Sequence, residues 1–115
     1  MQDFLLLFRS EAGNMSKRSP EELQAMTQKW VDWIGSIAAR DQLVDRGNPL
    51  TETGRVVKAG MVTDGPYSET KEVLGGYTLV RAESYEDAVV LAQGCPVLLV
   101  GGNVEVRTIA PIMMK

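Results

Sequence analysis

The order of apolar and polar positions predicts four strand regions. Residues 4–8 form an unbroken apolar run, which is typical of a central strand covered on both faces. Residues 76–82 are rich in β-branched and aromatic side chains, and residues 103–109 alternate apolar with charged positions, so each predicts a further strand. Residues 55–59 and 61–63, separated by a glycine, predict either a tight hairpin or one bulged strand.

Two helices are predicted between these strands. Ser19 begins the first, because a proline follows it and Glu22 lies three positions later, as in a capping box. Apolar residues then recur at helical spacing to about Arg40. Ser84, with Asp87 three positions later, begins the second helix, and a Gly-Cys-Pro sequence ends it.

The order of these elements predicts an α+β fold of the ferredoxin-like, or split βαβ, type, with one antiparallel sheet and both helices on one face. Residues 4–8 and 79–80 nevertheless place apolar groups on both faces of the sheet. A second chain that lays its sheet against the first would cover the free face, so we expect a homodimer, with the apolar tail 110–115 as a contributor. In the alternative, the tail and loops of the same chain cover this face.

Composition excludes several classes of protein. A chain of 115 residues, 44% hydrophobic and 23% charged, is predicted to form a single domain over residues 1–115. It has no apolar run of the ~18 residues that a membrane helix needs and no secretion signal, and its lone Cys95 suits a reducing compartment, so a cytoplasmic location is expected. A net charge of -3 with scattered basic residues disfavours direct nucleic-acid binding.

The absence of histidine restricts the chemistry further. With no His and one Cys, the chain holds neither a Ser-His nor a Cys-His nucleophile pair. A zinc or copper site is improbable for the same reason, and no metal ion or cofactor is expected. Any chemistry therefore depends on carboxylates, Arg, Lys, Tyr or backbone amides.

The sequence Asp-Gly-Pro-Tyr at residues 64–67 is the strongest local candidate for a site. Asp64 can accept hydrogen bonds from nearby backbone amides and close a turn, which is a purely structural role. In the functional alternative its carboxylate points into a cleft and acts as a base or a polar anchor.

Arginine and tyrosine residues could hold an anionic ligand beside Asp64. Arg9 and Arg81 fall on neighbouring central strands of the predicted sheet, where a guanidinium could bind a carboxylate at two points. Tyr67 and Tyr77 could add hydroxyl groups to the same cleft. In the structural alternative, the arginines pair with nearby carboxylates and the tyrosines pack in the core or an interface.

These residues together resemble the YCII-related family, in its DGPF subgroup. The resemblance lies in Asp64-Gly65-Pro66-Tyr67, then Glu69, Lys71-Glu72, Gly75-Gly76-Tyr77 and Glu105-Val106-Arg107. It implies a ferredoxin-like fold paired as a dimeric α/β barrel. Some members of the family carry a His-Asp pair in a cleft and one relative is a chlorohydroxymuconate dehydrochlorinase; Asp64 resembles that Asp, whereas the His has no counterpart in this chain. DGPF members are also often encoded beside extracytoplasmic-function sigma factors.

Three functions remain open at this point. The first is a homodimer with a cleft for a small anionic molecule near Asp64, with weak lyase- or isomerase-type activity in which Asp64 is the catalytic residue. The second is a regulatory, non-enzymatic module linked to a sigma-factor pathway. The third is a purely structural dimer in which the Asp-Gly-Pro segment is only a turn.

Overall fold

The computed structural model describes residues 1–65 and 72–112 of the chain. The predicted Tyr67, the carboxylate Glu69 and the last three residues of the tail lie outside this part. The elements, in chain order, are β1 (Gln2–Glu11), α1 (Pro20–Ala39), β2 (Leu43–Asp45), β3 (Gly54–Lys58), β4 (Met61–Gly65), β5 (Glu72–Ala82), α2 (Tyr85–Ala92) and β6 (Asn103–Thr108), with short 3-10 helices at Met15–Lys17 and Pro96–Val100.

The main sheet has four antiparallel strands in the order β2-β5-β1-β6. β1 and β5, which are the two longest strands, lie at its centre and pair from Gln2↔Ala82 to Glu11↔Glu72. This strand order, with one helix in each of two crossovers, is that of a ferredoxin-like fold. The predicted α+β class, with two helices and an antiparallel sheet, is therefore confirmed.

Both helices begin at the predicted serines. Ser19 Oγ accepts a hydrogen bond from the Glu22 amide at 3.1 Å, and Glu22 Oε1 accepts one from the Ser19 amide at 3.3 Å, which completes the capping box. Ser84 Oγ accepts from the Asp87 amide at 3.2 Å. No helix in the described part of the chain is long and apolar enough to cross a membrane.

Both helices pack on the same face of the main sheet. Phe4, Leu6 and Phe8 alternate along β1 and are buried beneath the helices. Trp33 and Ile37 of α1 complete this core, together with Val80 and Ala82 of β5 and Ala88, Leu91 and Ala92 of α2. Since side chains alternate along a strand, the intervening residues point away from the helices.

No helix in the described part of the chain covers the other face of the main sheet. Leu5, Leu7 and Leu79 lie on it, and the register places Leu5 directly beside Leu79. We call this surface, with its flanking residues Arg9, Arg81, Glu105 and Arg107, the open face. The molecule is only 18 Å thick along its shortest axis, as expected for one sheet and one helical layer.

The region between α1 and β5 differs from the prediction in one respect. The fourth strand of the main sheet is β2, at residues 43–45, whereas β3 and β4 form a separate two-stranded sheet. Three residues are too few to show alternation, so the sequence pattern did not reveal β2. Of the two alternatives for residues 55–63, the hairpin is the one observed, because Gly60 adopts a φ of +75° that reverses the chain.

One close contact fixes the path of the chain beyond β2. Gly47 has a φ of +69°, and a Cβ atom built on it would lie 1.8 Å from the carbonyl oxygen of Tyr77. The Gly47 amide also donates to Asp45 Oδ1 at 2.8 Å. Residues 46–49 can therefore lie along the edge of β5 only because position 47 lacks a side chain.

We expect Gly47→Ala to destabilise the fold far more than Gly60→Ala. Both glycines have a backbone φ in the left-handed region, but no atom lies within 4 Å of a Cβ built on Gly60. Gly60→Ala should therefore cost only the conformational term, about 1–2 kcal/mol, and Gly47→Ala a further ~1–3 kcal/mol of steric strain. Urea unfolding of the two variants measures this difference, and equal losses would contradict the close approach of residue 47 to β5.

Candidate functional site

A cleft of about 370 Å³ lies between α1 and one end of the main sheet. We call it the α1 cleft. One wall is the α1 segment from Met26 to Ile34, and the floor is formed by Phe8 and Gly76 of the two central strands. Residues 46–49 and the 3-10 helices close its ends. The cleft therefore lies between the helical layer and the sheet, and residues 46–49 border it at the edge of β5.

Aromatic rings make the wall of the α1 cleft apolar and firmly packed. The rings of Phe8 and Trp30 meet edge to face, with centroids 4.9 Å apart, and Trp30 meets Trp33 in the same way at 5.7 Å. Trp33 Nε1 donates to the carbonyl of Leu91 at 3.1 Å, which ties this group to α2. Met15, Met26 and Ile34 complete the apolar lining.

The rim of the cleft consists of residues 46–49, which run beside β5. Thr78 Oγ1 donates to the carbonyl of Arg46 at 2.9 Å, and the Leu50 amide donates to the carbonyl of Gly75 at 2.8 Å. Gly76 permits this contact, since a Cβ on it would lie 3.1 Å from the Asn48 carbonyl oxygen. The rim is thus held in place by backbone contacts that need glycine in β5.

Arg46 gives the rim a positive charge. Its side chain is exposed and lines the cleft, and it has no ion-pair partner among the residues that the structure describes. Asn48 lies beside it, and its Nδ2 donates to the hydroxyl of Tyr77 at 3.2 Å. A guanidinium at the mouth of an apolar cleft is suited to an anion that has an apolar body.

Of the residues predicted to form a site, the structure brings Tyr77 to this cleft. Tyr77 lies between Gly76 and Thr78, which are buried on the helix face, so its ring points to the opposite side of the sheet. It reaches the cleft at the sheet edge, through its hydrogen bond with Asn48. Tyr67, the second predicted tyrosine, lies outside the described residues.

Arg9 and Arg81 lie on the open face and not in the α1 cleft. Arg9 forms an ion pair with Glu105 at 2.5 Å, and Arg107 forms one with the same carboxylate at 3.2 Å. Arg9 therefore has the partner that the structural alternative expected. Arg81 has no ion pair among the described residues, and its buried Nε has no hydrogen-bond partner there.

Asp64 lies in β4, on the hairpin. Its side chain is 95% exposed and accepts a hydrogen bond from Arg55 at 3.1 Å across the two strands. It is not among the residues that line the α1 cleft. Within one chain, the described residues therefore do not place Asp64 beside Arg9, Arg81 or Tyr77.

The lone cysteine is not a nucleophile in this structure. Cys95 is buried, and burial raises the pKa of its thiol to about 12. The thiol is therefore protonated at neutral pH, and only the thiolate reacts as a nucleophile.

Two residues of the α1 cleft were not predicted from the sequence. Arg46 falls in an Arg-Gly-Asn-Pro segment, whose residue types indicate only the end of an element, and the helical spacing of Trp30 indicates only a core position. The sequence gives little indication that Arg46 lies at a cleft, because its position there depends on a turn that folds back on β5. Trp30 keeps helical spacing with Trp33, but only the tertiary structure shows that it also faces a cleft.

Comparisons with known proteins identify the family to which the chain belongs. The model of the YCII-related domain matches residues 13–113, so the chain belongs to the YCII-related family. No curated protein matches the chain. Among solved structures, it is similar to 5-chloro-2-hydroxyhydroquinone dehydrochlorinase (TftG) from Burkholderia phenoliruptrix AC1100 in complex with 2,5-dihydroxybenzoquinone, with 16% identity, a TM-score of 0.47 and 93% of each chain covered.

The ion pairs of the open face give a titration that can be measured. The hydrogen bond from Arg9 is the main cause, and that from Arg107 a smaller one, of a lowered pKa for Glu105. We expect Arg9→Gln to raise this pKa toward its ordinary value, and Arg107→Gln to raise it less. A carboxyl group whose pKa is lowered by folding stabilises the folded state at pH values above its ordinary pKa. This stabilisation is lost as the pH falls through the pKa of the folded state. Carboxyl NMR titration of the two variants tests this order, and an equal shift in both would contradict it.

Proposed function

We propose that this protein binds a small anionic molecule in the α1 cleft. The apolar body of the ligand lies against Trp30 and Phe8, and its anionic group binds Arg46. The observation that carries the proposal is the position of Arg46, which lies at the mouth of the cleft and has no ion-pair partner among the residues that the structure describes. Because apolar walls with a few convergent polar groups are typical of ligand sites, and about 370 Å³ is within their usual size, the cleft supports this function.

The charge of the ligand follows from the chemistry of the rim. Among the described residues that line the cleft, Arg46 is the one with a formal charge, and Asn48 is the neighbouring amide. A carboxylate can accept two parallel hydrogen bonds from one guanidinium, which provides both affinity and orientation. We therefore propose a monocarboxylate or a comparable small oxyanion with an apolar part.

The proposal includes pairing of two chains through the open face. Leu5, Leu7 and Leu79 form an apolar centre there that no helix of the same chain covers. Two such faces packed together would form the dimeric α/β barrel that the resemblance to the DGPF subgroup implies. In this proposal residues 1–115 form one domain, and the lone buried cysteine suits the cytoplasm.

A lyase- or isomerase-type reaction would require a base, and Asp64 remains the candidate. Its carboxylate is exposed and lies beside Arg55, so it could accept a proton from a ligand that reached it. The regulatory alternative, a link to a sigma-factor pathway, depends on the DGPF resemblance, and no contact among the described residues favours it.

We expect Arg46→Gln to weaken the binding of small carboxylates while the fold stays intact. Octanoate and benzoate, with their neutral amides as controls, would be titrated by calorimetry and followed by thermal melting, because a ligand that prefers the folded state must raise the melting temperature. Loss of one charged two-point contact should weaken binding at least about tenfold.

Arg40→Gln is the matched control for this experiment. Arg40 follows α1, lies outside the cleft lining and is also exposed, so the same charge is removed without a change at the site. Equal affinity of both variants and the wild type would place the anion elsewhere. If neither acid nor amide binds to the wild type, the proposed function is wrong.

The role of Asp64 is tested by Asp64→Asn. The exposed ion pair with Arg55 should contribute less than about 1 kcal/mol, so this variant should fold normally. If Asp64 is a catalytic base, turnover of a bound acid is lost while binding measured by calorimetry persists. If binding and turnover both remain, Asp64 has no part in the site.

A further inference from the structure

We propose that the β3–β4 hairpin is an arm that packs on a second copy of this chain. Val57 and Val62 are directly opposite in the register, so their side chains lie on the same face of the hairpin. They are 75% and 60% exposed, and Met61 at the turn is 55% exposed. An apolar cross-strand pair left in water on a projecting hairpin needs a covering surface.

The hairpin has little support from its own chain. Among the described residues, the hydrogen bonds and the ion pair of β3 and β4 join these two strands only to each other. A two-stranded hairpin alone is marginally stable in water and gains independent stability from further packing. The base of the hairpin, by contrast, is fixed, because Glu52 Oε2 accepts from the Gly13 amide at 2.9 Å.

The segment that leads into the arm runs along the edge of β5, next to the open face. Residues 46–50, which precede the hairpin, run along the edge of β5, and Asn48 binds the hydroxyl of Tyr77. The ring of Tyr77 is on the open-face side of β5, so the hairpin starts beside that face. Each strand has five residues, which gives an arm roughly 17 Å long. In the proposed dimer, a second chain seated on the open face contacts an arm that starts at this edge of the sheet.

The area of the open face also favours a second copy of this chain as the partner of the arm. Four strands spaced ~4.8 Å apart and paired over about six residues present a flat face of roughly 400 Å². A stable interface buries about 800 Å² on each partner, so this face alone is too small. In a two-fold dimer each chain adds both its own arm and the surface under the partner's arm, roughly 300 Å² in all. The arm thus supplies most of the area that the proposed dimer lacks.

This inference rests on the dimer of the proposed function and adds the element that holds it together. The experiment compares wild type, Val57→Lys with Val62→Lys, and Val90→Lys by sedimentation velocity over a range of concentrations. Val90 on α2 is 61% exposed, a fraction similar to that of Val62. It is therefore a matched control for placing a lysine on the surface. We expect the double variant to raise the dimer dissociation constant at least about 100-fold, while Val90→Lys leaves it unchanged.

The outcomes separate the two proposals. If the wild type is monomeric at every concentration, the proposed dimer and the arm both fail. If the wild type is dimeric and the double variant dissociates no more readily than Val90→Lys, the arm is wrong and the dimer remains. The variants should fold, because the substituted residues lie outside the main core.

Hydrogen exchange of the wild type provides a measurement that needs no substitution. If the arm packs on a partner, the amides of β3 and β4 should become more protected as the protein concentration rises through the dissociation constant. The amides shared by β1 and β5 serve as the internal control, because their pairing lies within one chain. Equally fast exchange of the hairpin at all concentrations would overturn the inference.

Discussion

The structure depends on one constraint: two helices cover only one face of a four-stranded sheet. Phe4, Leu6 and Phe8 form the buried side of β1, and the hydrophobic contribution of these side chains is the main stabilising term of the core. Leu5 and Leu7, on the other side of the same strand, receive no helix. The core and the open face therefore arise from a single apolar run, since alternate residues of a strand point in opposite directions.

The α1 cleft follows from the same two-layer packing, together with a close contact at the sheet edge. Residues 46–49 border the cleft by lying against β5. Gly47 and Gly76 allow this approach, because neither has a Cβ that would separate the two segments. The backbone thus positions Arg46 at the rim, next to Asn48, whose amide binds the hydroxyl of Tyr77. Fold stability and the proposed binding site share these glycines.

Much of the fold could be predicted from the sequence, because its signals are local. The capping box at Ser19 and the helical spacing that follows depend on neighbouring residues only, and the structure has the helix as predicted. β2 could not be predicted, because its three residues join the sheet through contacts with β5. The site was harder for the same reason: Tyr77 lies at the cleft, whereas Arg9 pairs with Glu105 and Asp64 lies on the hairpin with Arg55.

The sequence by itself determined the class of fold, the buried face of each helix and the exclusion of histidine chemistry. It also determined that both sides of β1 are apolar, which is the basis for expecting a partner. Only the tertiary structure decided which charged groups meet. Ion pairing and cleft formation depend on distances between residues far apart in the chain, such as Arg46 and Trp30, and local periodicity contains no information about those distances.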